Sequence, residues 1–119
     1  MKKIAIMFAG QGAQTIGMGK EFYDNTLTAK NLYLNANEIL GYNLSKICFE
    51  ENEMINQTLY TQPAILVTSL AIYEVLKEKI KIKPQAFLGF SLGEYSALYA
   101  AGIFDFKQIV ELIRKRAYY

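Results

Sequence analysis

The pentapeptide Gly89-Phe90-Ser91-Leu92-Gly93 overlaps the end of the strand candidate Ala86-Phe87-Leu88-Gly89 and opens a small-residue segment, 91–101, that Gly102 stops. A strand handing over to a helix through a turn of glycines and one serine has few ways to pack. The strand must lie in a sheet with the helix laid back against it, which is an α/β arrangement with parallel pairing. The pattern matches the G-x-S-x-G nucleophile elbow, whose serine sits on a tight turn with its hydroxyl clear of the sheet. On that reading Ser91 is a nucleophile. The N–H of Leu92, at the positive end of the helix, is a donor to an oxyanion forming on the substrate. The plainer reading is a glycine turn with Ser91 as an ordinary helix cap. Phe90 reads as packing, and Glu94 as a capping-box acid rather than a reacting group.

The rest of the chain supplies one more strand and several helices. The apolar stretch 3–8, closed by Ala9-Gly10-Gln11-Gly12, reads as a buried parallel strand entering a loop. Leu32, Ala36, Ile39 and Leu40 follow helical spacing over 27–40, and Gly41 stands where a C-terminal glycine belongs. Between 42 and 56 the expectation is short helical turns. Thr61-Gln62-Pro63 reads as an N-cap and first-turn proline of a helix running to Lys79. That helix is apolar nearly all round, as in an element buried among others. Asp105 is placed to cap a last helix from Phe106. Two strands are too few for a stable sheet, and the last helix reaches Tyr119 with no stop signal. The expectation is therefore a fragment of a larger protein.

Counts narrow the chemistry. The 119 residues contain no histidine and one cysteine, Cys48. No histidine-based triad or histidine metal site is complete within them, and no internal disulfide or cysteine-only zinc site is possible. Thirteen Lys plus Arg against eleven Asp plus Glu leave a net charge of +2, which gives no footprint for nucleic acid or an anionic membrane. Lys2 and Lys3 before an apolar run imitate a signal peptide, but the run is too short. The longest strongly apolar stretch, 63–73, is below the roughly 20 residues of a spanning helix, so a cytoplasmic protein is expected. The loop after the first strand is not a nucleotide cradle: Thr15 breaks G-x-G-x-x-G, and Gly19-Lys20 is followed by Glu21. It reads better as a border of the crevice that holds Ser91, with a main-chain N–H near Gln11 as a second oxyanion donor.

The last helix carries an anomalous charge. At about 100° per residue, Phe106, Ile109, Val110, Leu112 and Ile113 share an arc, and Arg116 falls in its middle. A guanidinium turned inward needs a partner, because an unpaired buried charge is very costly. That partner is a protein carboxylate or a substrate carboxylate held bidentately. A frayed helix end that leaves Arg116 solvated is the third alternative.

Phe8-Ala9-Gly10-Gln11-Gly12-Ala13-Gln14, Thr61-Gln62-Pro63-Ala64, Gly89 through Leu98, Ala101-Gly102-Ile103-Phe104-Asp105-Phe106 and Arg116 together resemble the malonyl-CoA:acyl-carrier-protein transacylases over the whole chain. The resemblance implies a partial hydrolase-like parallel-sheet subdomain, helix-rich, with two short strands and the elbow. Residues 1–119 would be the N-terminal part of the large acyltransferase subdomain, without the small ferredoxin-like subdomain. It implies Ser91 as nucleophile toward malonyl-CoA, oxyanion donors at Gln11 and Leu92, Arg116 on the malonyl carboxylate and Gln62 lining the pocket. The acyl-serine would pass to the phosphopantetheine thiol of acyl carrier protein by a ping-pong scheme. No cofactor or metal is implied beyond the coenzyme A thioester as substrate.

Two departures stand out. Phe90 occupies a position where the family usually has histidine, and the family's catalytic histidine lies on a downstream part absent here. Without a base, Ser91 is expected to stay unactivated and the fragment inactive alone. Self-association through uncovered surfaces is a further expectation. A serine esterase, or a non-catalytic carrier-protein-binding module, are the competing readings. Service in polyketide rather than fatty acid biosynthesis also remains open. The start at Met1 favours a free-standing protein over a megasynthase domain.

Overall fold

The computed structural model describes residues 3–81 and 83–119. Met1, Lys2 and Ile82 lie outside them, so the Lys2 part of the basic pair has no structural counterpart here. Strand β1 (Ala5–Phe8) pairs in parallel with β2 (Ala86–Gly89), with Ala5 opposite Ala86 and Phe8 opposite Gly89. One further bond, from Gln85 N–H to the Ile4 carbonyl at 2.7 Å, extends the ladder. Between the strands come helices α1 (Lys20–Asn25), α2 (Leu27–Leu40), α3 (Leu44–Phe49) and α4 (Thr58–Lys79), with a short 3-10 turn at Met54–Asn56. After β2 follow α5 (Leu92–Ala100) and α6 (Phe106–Tyr118). The result is a helix-rich α/β fold around two parallel strands, as the elbow and the first apolar run require.

The core belongs to the helices. Leu66, Val67, Leu70 and Ala71 of α4 are fully buried against Tyr33 and Ala36 of α2 and Ile109, Val110 and Ile113 of α6. Thr61, Gln62 and Thr68, polar groups of α4 that enter this core, are paired, whereas the buried Ser96 hydroxyl of α5 has no partner among the described residues. Tyr33 Oη and Thr68 Oγ1 lie 2.6 Å apart and hold α2 to α4. Caps set the helix limits. Thr26 Oγ1 accepts from Ala29 N–H at the start of α2, and Gly41 ends it in the left-handed region at φ 80°. Asp105 and Gln108 form a reciprocal capping box on α6.

The start of α4 differs from expectation. It begins at Thr58, so Thr61 is not its N-cap and Pro63 lies in the second turn. The preceding 3-10 turn feeds directly into the helix, and Thr61 Oγ1 hydrogen bonds the carbonyls of Ile55 and Gln57 instead of capping. Pro63 forgoes one intrahelical bond near the end of the helix, where neighbours can compensate. The helix is thus 22 residues long, beyond the apolar 63–73 stretch. By length and composition it would cross a membrane, yet twelve of its residues are buried under neighbouring helices, as in the core helix of a folded domain. Helix α1 was not expected; it buries none of its residues, so no periodic apolar signal announces it.

Candidate active site

Three helix segments converge where β2 ends. Ser91 is the one non-glycine among the described residues with positive φ, at φ 56° and ψ −114°. A residue held there is strained, as an elbow nucleophile must be. The flanking glycines are sterically required. A Cβ on Gly89 would stand 2.0 Å from the Gly93 carbonyl oxygen, and one on Gly93 would stand 2.3 Å from the Phe8 carbonyl oxygen. The turn therefore closes on itself and on the end of β1 at once. Gly10 lies against it too, since its Cβ would meet the Phe90 carbonyl at 3.2 Å.

That contact brings the 10–14 loop to the elbow. The loop is fastened from the other side: Gln11 Nε2 donates to Thr58 Oγ1 at 3.0 Å, and Gln14 Nε2 to Asn56 Oδ1 at 3.1 Å. Among the described residues, neither the Gln11 N–H nor the Leu92 N–H has an intramolecular acceptor. Both remain available to a ligand.

Ser91 does not cap α5. Its side chain makes no cap bond, and Glu94 makes no return bond to it, so the expected capping box is absent. The hydroxyl instead accepts from Arg116 Nη2 at 3.0 Å. Arg116 Nη1 donates to Gln62 Oε1 at 2.6 Å. The guanidinium carbon stands 5.3 Å from the centroid of the Tyr95 ring, over its face. Gln62 is buried in α4, Tyr95 is partly buried one turn beyond Ser91 in α5, and Arg116 is half-buried on α6. No described residue forms an ion pair with Arg116. Of the three fates open to it, the protein carboxylate partner and the frayed, solvated end are both absent.

All five expected site residues thus adjoin directly or through a neighbour: Ser91, Gln62 and Arg116 by hydrogen bonds, and Leu92 by following Ser91. Gln11 adjoins the elbow through Gly10. Phe90 is the departure. It is 90% exposed, so it does not pack beside Ser91. The described residues contain no cluster of metal-type ligands. Sequence reasoning passed over Tyr95, although its place four residues after Ser91, on the same helical face, was a usable signal.

Residues 6–116 match the family described as the acyl transferase domain. The malonyl CoA-acyl carrier protein transacylase of Bacillus subtilis strain 168 is 50% identical over 98% of this chain and 37% of its own length. The solved transacylase of Streptococcus pneumoniae superposes with a TM-score of 0.92 at 50% identity, covering 97% of this chain and 37% of that one. A malonyl-transacylase solved in complex with its type II PKS acyl-carrier protein superposes with a TM-score of 0.92 at 38% identity, covering 98% and 38%. The chain spans about a third of the length of the curated relatives it matches, 29% to 38% for three of them.

Proposed function

Because this chain belongs to the acyl transferase domain family, we propose that it carries the nucleophile and carboxylate-binding part of an enzyme that moves a malonyl group from coenzyme A to acyl carrier protein. The observation that carries this reading is the Arg116 guanidinium, bonded to both Ser91 Oγ and Gln62 Oε1 and facing no protein carboxylate. A cation at a nucleophile with in-plane donors to spare suits an acyl group that ends in a carboxylate. The pair of substrates comes from the relatives, whose names join malonyl-CoA with acyl carrier protein.

In this reading Ser91 Oγ attacks the malonyl thioester carbonyl, and the main-chain N–H groups of Gln11 and Leu92 receive the oxyanion. Coenzyme A leaves as its thiol, taking the serine proton by way of a base. The carrier's phosphopantetheine thiol then attacks the acyl-serine and restores the hydroxyl. With no histidine in the chain, the base lies outside these 119 residues. The segment is thus the opening part of a hydrolase-like large subdomain, completed by a second subdomain and working in the cytoplasm without a cofactor. An esterase would use the same elbow but has no need of Arg116, and that argues against it.

The test is malonyl transfer by the complete native polypeptide that carries these residues. Ser91→Ala should abolish acyl-enzyme formation. Arg116→Ala should cut malonyl transfer by about a hundredfold or more, the cost of losing a charge-assisted bidentate contact, while sparing acetyl transfer. Equal loss toward both acyl groups would refute the carboxylate role. Residues 1–119 alone should show no meaningful turnover, and turnover comparable with the complete polypeptide would refute the missing base.

A further inference from the structure

Arg116 reaches the nucleophile from the end of α6 on a long, flexible side chain, and two hydrogen bonds do not fix its plane. Nη1 to Gln62 and Nη2 to Ser91 use one donor on each terminal nitrogen and leave rotation about the line joining them. The missing constraint is a contact outside those two bonds, and the Tyr95 ring supplies one: the guanidinium carbon stands over the ring face, 5.3 Å from its centroid. Tyr95 is itself seated: one side of it packs on the helical core. It also rides on the same helix as Ser91, four residues on, so ring and nucleophile move together.

We propose that Tyr95 is a positioning residue for Arg116. By holding the cation over its π face it limits that rotation and keeps the remaining in-plane N–H groups directed at an incoming carboxylate. A carboxylate or amide at position 95 would hold the cation by consuming those same donors. An aromatic face holds it without using any. This rests on the carboxylate role of Arg116 proposed above.

The test uses Tyr95→Phe and Tyr95→Leu in the complete native polypeptide, with malonyl-CoA and acetyl-CoA as alternative donors. Tyr95→Leu should lower the malonyl-over-acetyl ratio of kcat/KM by about tenfold, a stacking-sized effect, mainly through KM for malonyl-CoA. Tyr95→Phe should restore the ratio, which a lost hydroxyl would not predict. The second measurement needs no turnover: the Arg116 Nε–Hε resonance of the unmutated protein should be shifted upfield by the ring and remain so in Tyr95→Phe. A folded Tyr95→Leu protein with unchanged selectivity overturns the proposal. So does an Arg116 resonance without a ring shift in the unmutated protein, which decides the matter even where Tyr95→Leu fails to fold. If Arg116→Ala keeps the malonyl preference, the carboxylate reading itself falls, and the resonance alone decides whether Tyr95 holds Arg116.

Discussion

The helical cluster and the two-stranded sheet follow opposite packing rules. In the cluster, α4 packs against α2, α3 and α6, and its Leu66, Val67 and Leu70 are fully buried. In the sheet, Met7 is 79% exposed and Leu88 50%, and an open groove of about 230 Å³ runs between β1 and α4 past Ile6, Phe8, Ile72 and Tyr73. Leu66 and Leu88 are equally apolar, so the difference lies in how many neighbours each element has. The site sits on the seam between the two regions, with Arg116 and Gln62 supplied by the packed side and Ser91 by the end of the sheet.

This contrast makes graded predictions. Leu66→Ala should cost about 2–5 kcal/mol in chemical denaturation, because an enclosed cavity cannot collapse; a loss under about 1 kcal/mol would mean the cluster is loosely packed. Gly93→Ala strikes the seam, where a Cβ would press on the Phe8 carbonyl. It should cost about 1–3 kcal/mol by overpacking and disturb the elbow, read in the complete native polypeptide as lost reactivity of Ser91 toward a serine-directed acylating probe.

Alkaline pH separates the regions next. Burial pushes the Cys48 thiol up from 9.0 to about 12, an effect that a Thr68 hydrogen bond opposes. The folded state then holds its proton where the unfolded chain releases it. The stability this contributes is present in full below about pH 9 and lost as pH rises toward about 12. Cys48→Ala should flatten that part of the denaturation-midpoint profile, and an unchanged slope would assign the loss to other groups. Least affected should be Leu88→Ser on the sheet, within about 0.5 kcal/mol; a larger loss would show that this face is covered in solution.

What the sequence made legible follows the same division. The limits 27–40 and 86–89 and the Asp105 cap agree with the observed elements because each is fixed locally, by a cap, a glycine or a turn. The start of α4 was misplaced because Pro63 usually marks a first turn, and only the preceding 3-10 turn explains why it lies deeper. Arg116 could be seen to face inward from its helical phase alone, but its partners lie on other helices and periodicity is silent about them. Gln62 entered through family likeness, and Tyr95 not at all. Phe90 was misjudged because an aromatic beside a strand is normally covered, whereas nothing among the described residues covers it.

Gln62 and Arg116 meet across 54 positions of chain, with Ser91 between them. Anyone building chimaeras from related acyltransferases inherits a constraint from this. A crossover placed between Ser91 and Arg116 would join a serine from one parent to a guanidinium aligned for the other, and one between α4 and Ser91 would part Gln62 from both, whereas exchanging 58–118 as one block keeps Gln62, Ser91 and Arg116 together. Inserting or deleting a single residue in α6 would be more damaging than most point changes, because it would swing the arginine about a quarter-turn around the helix.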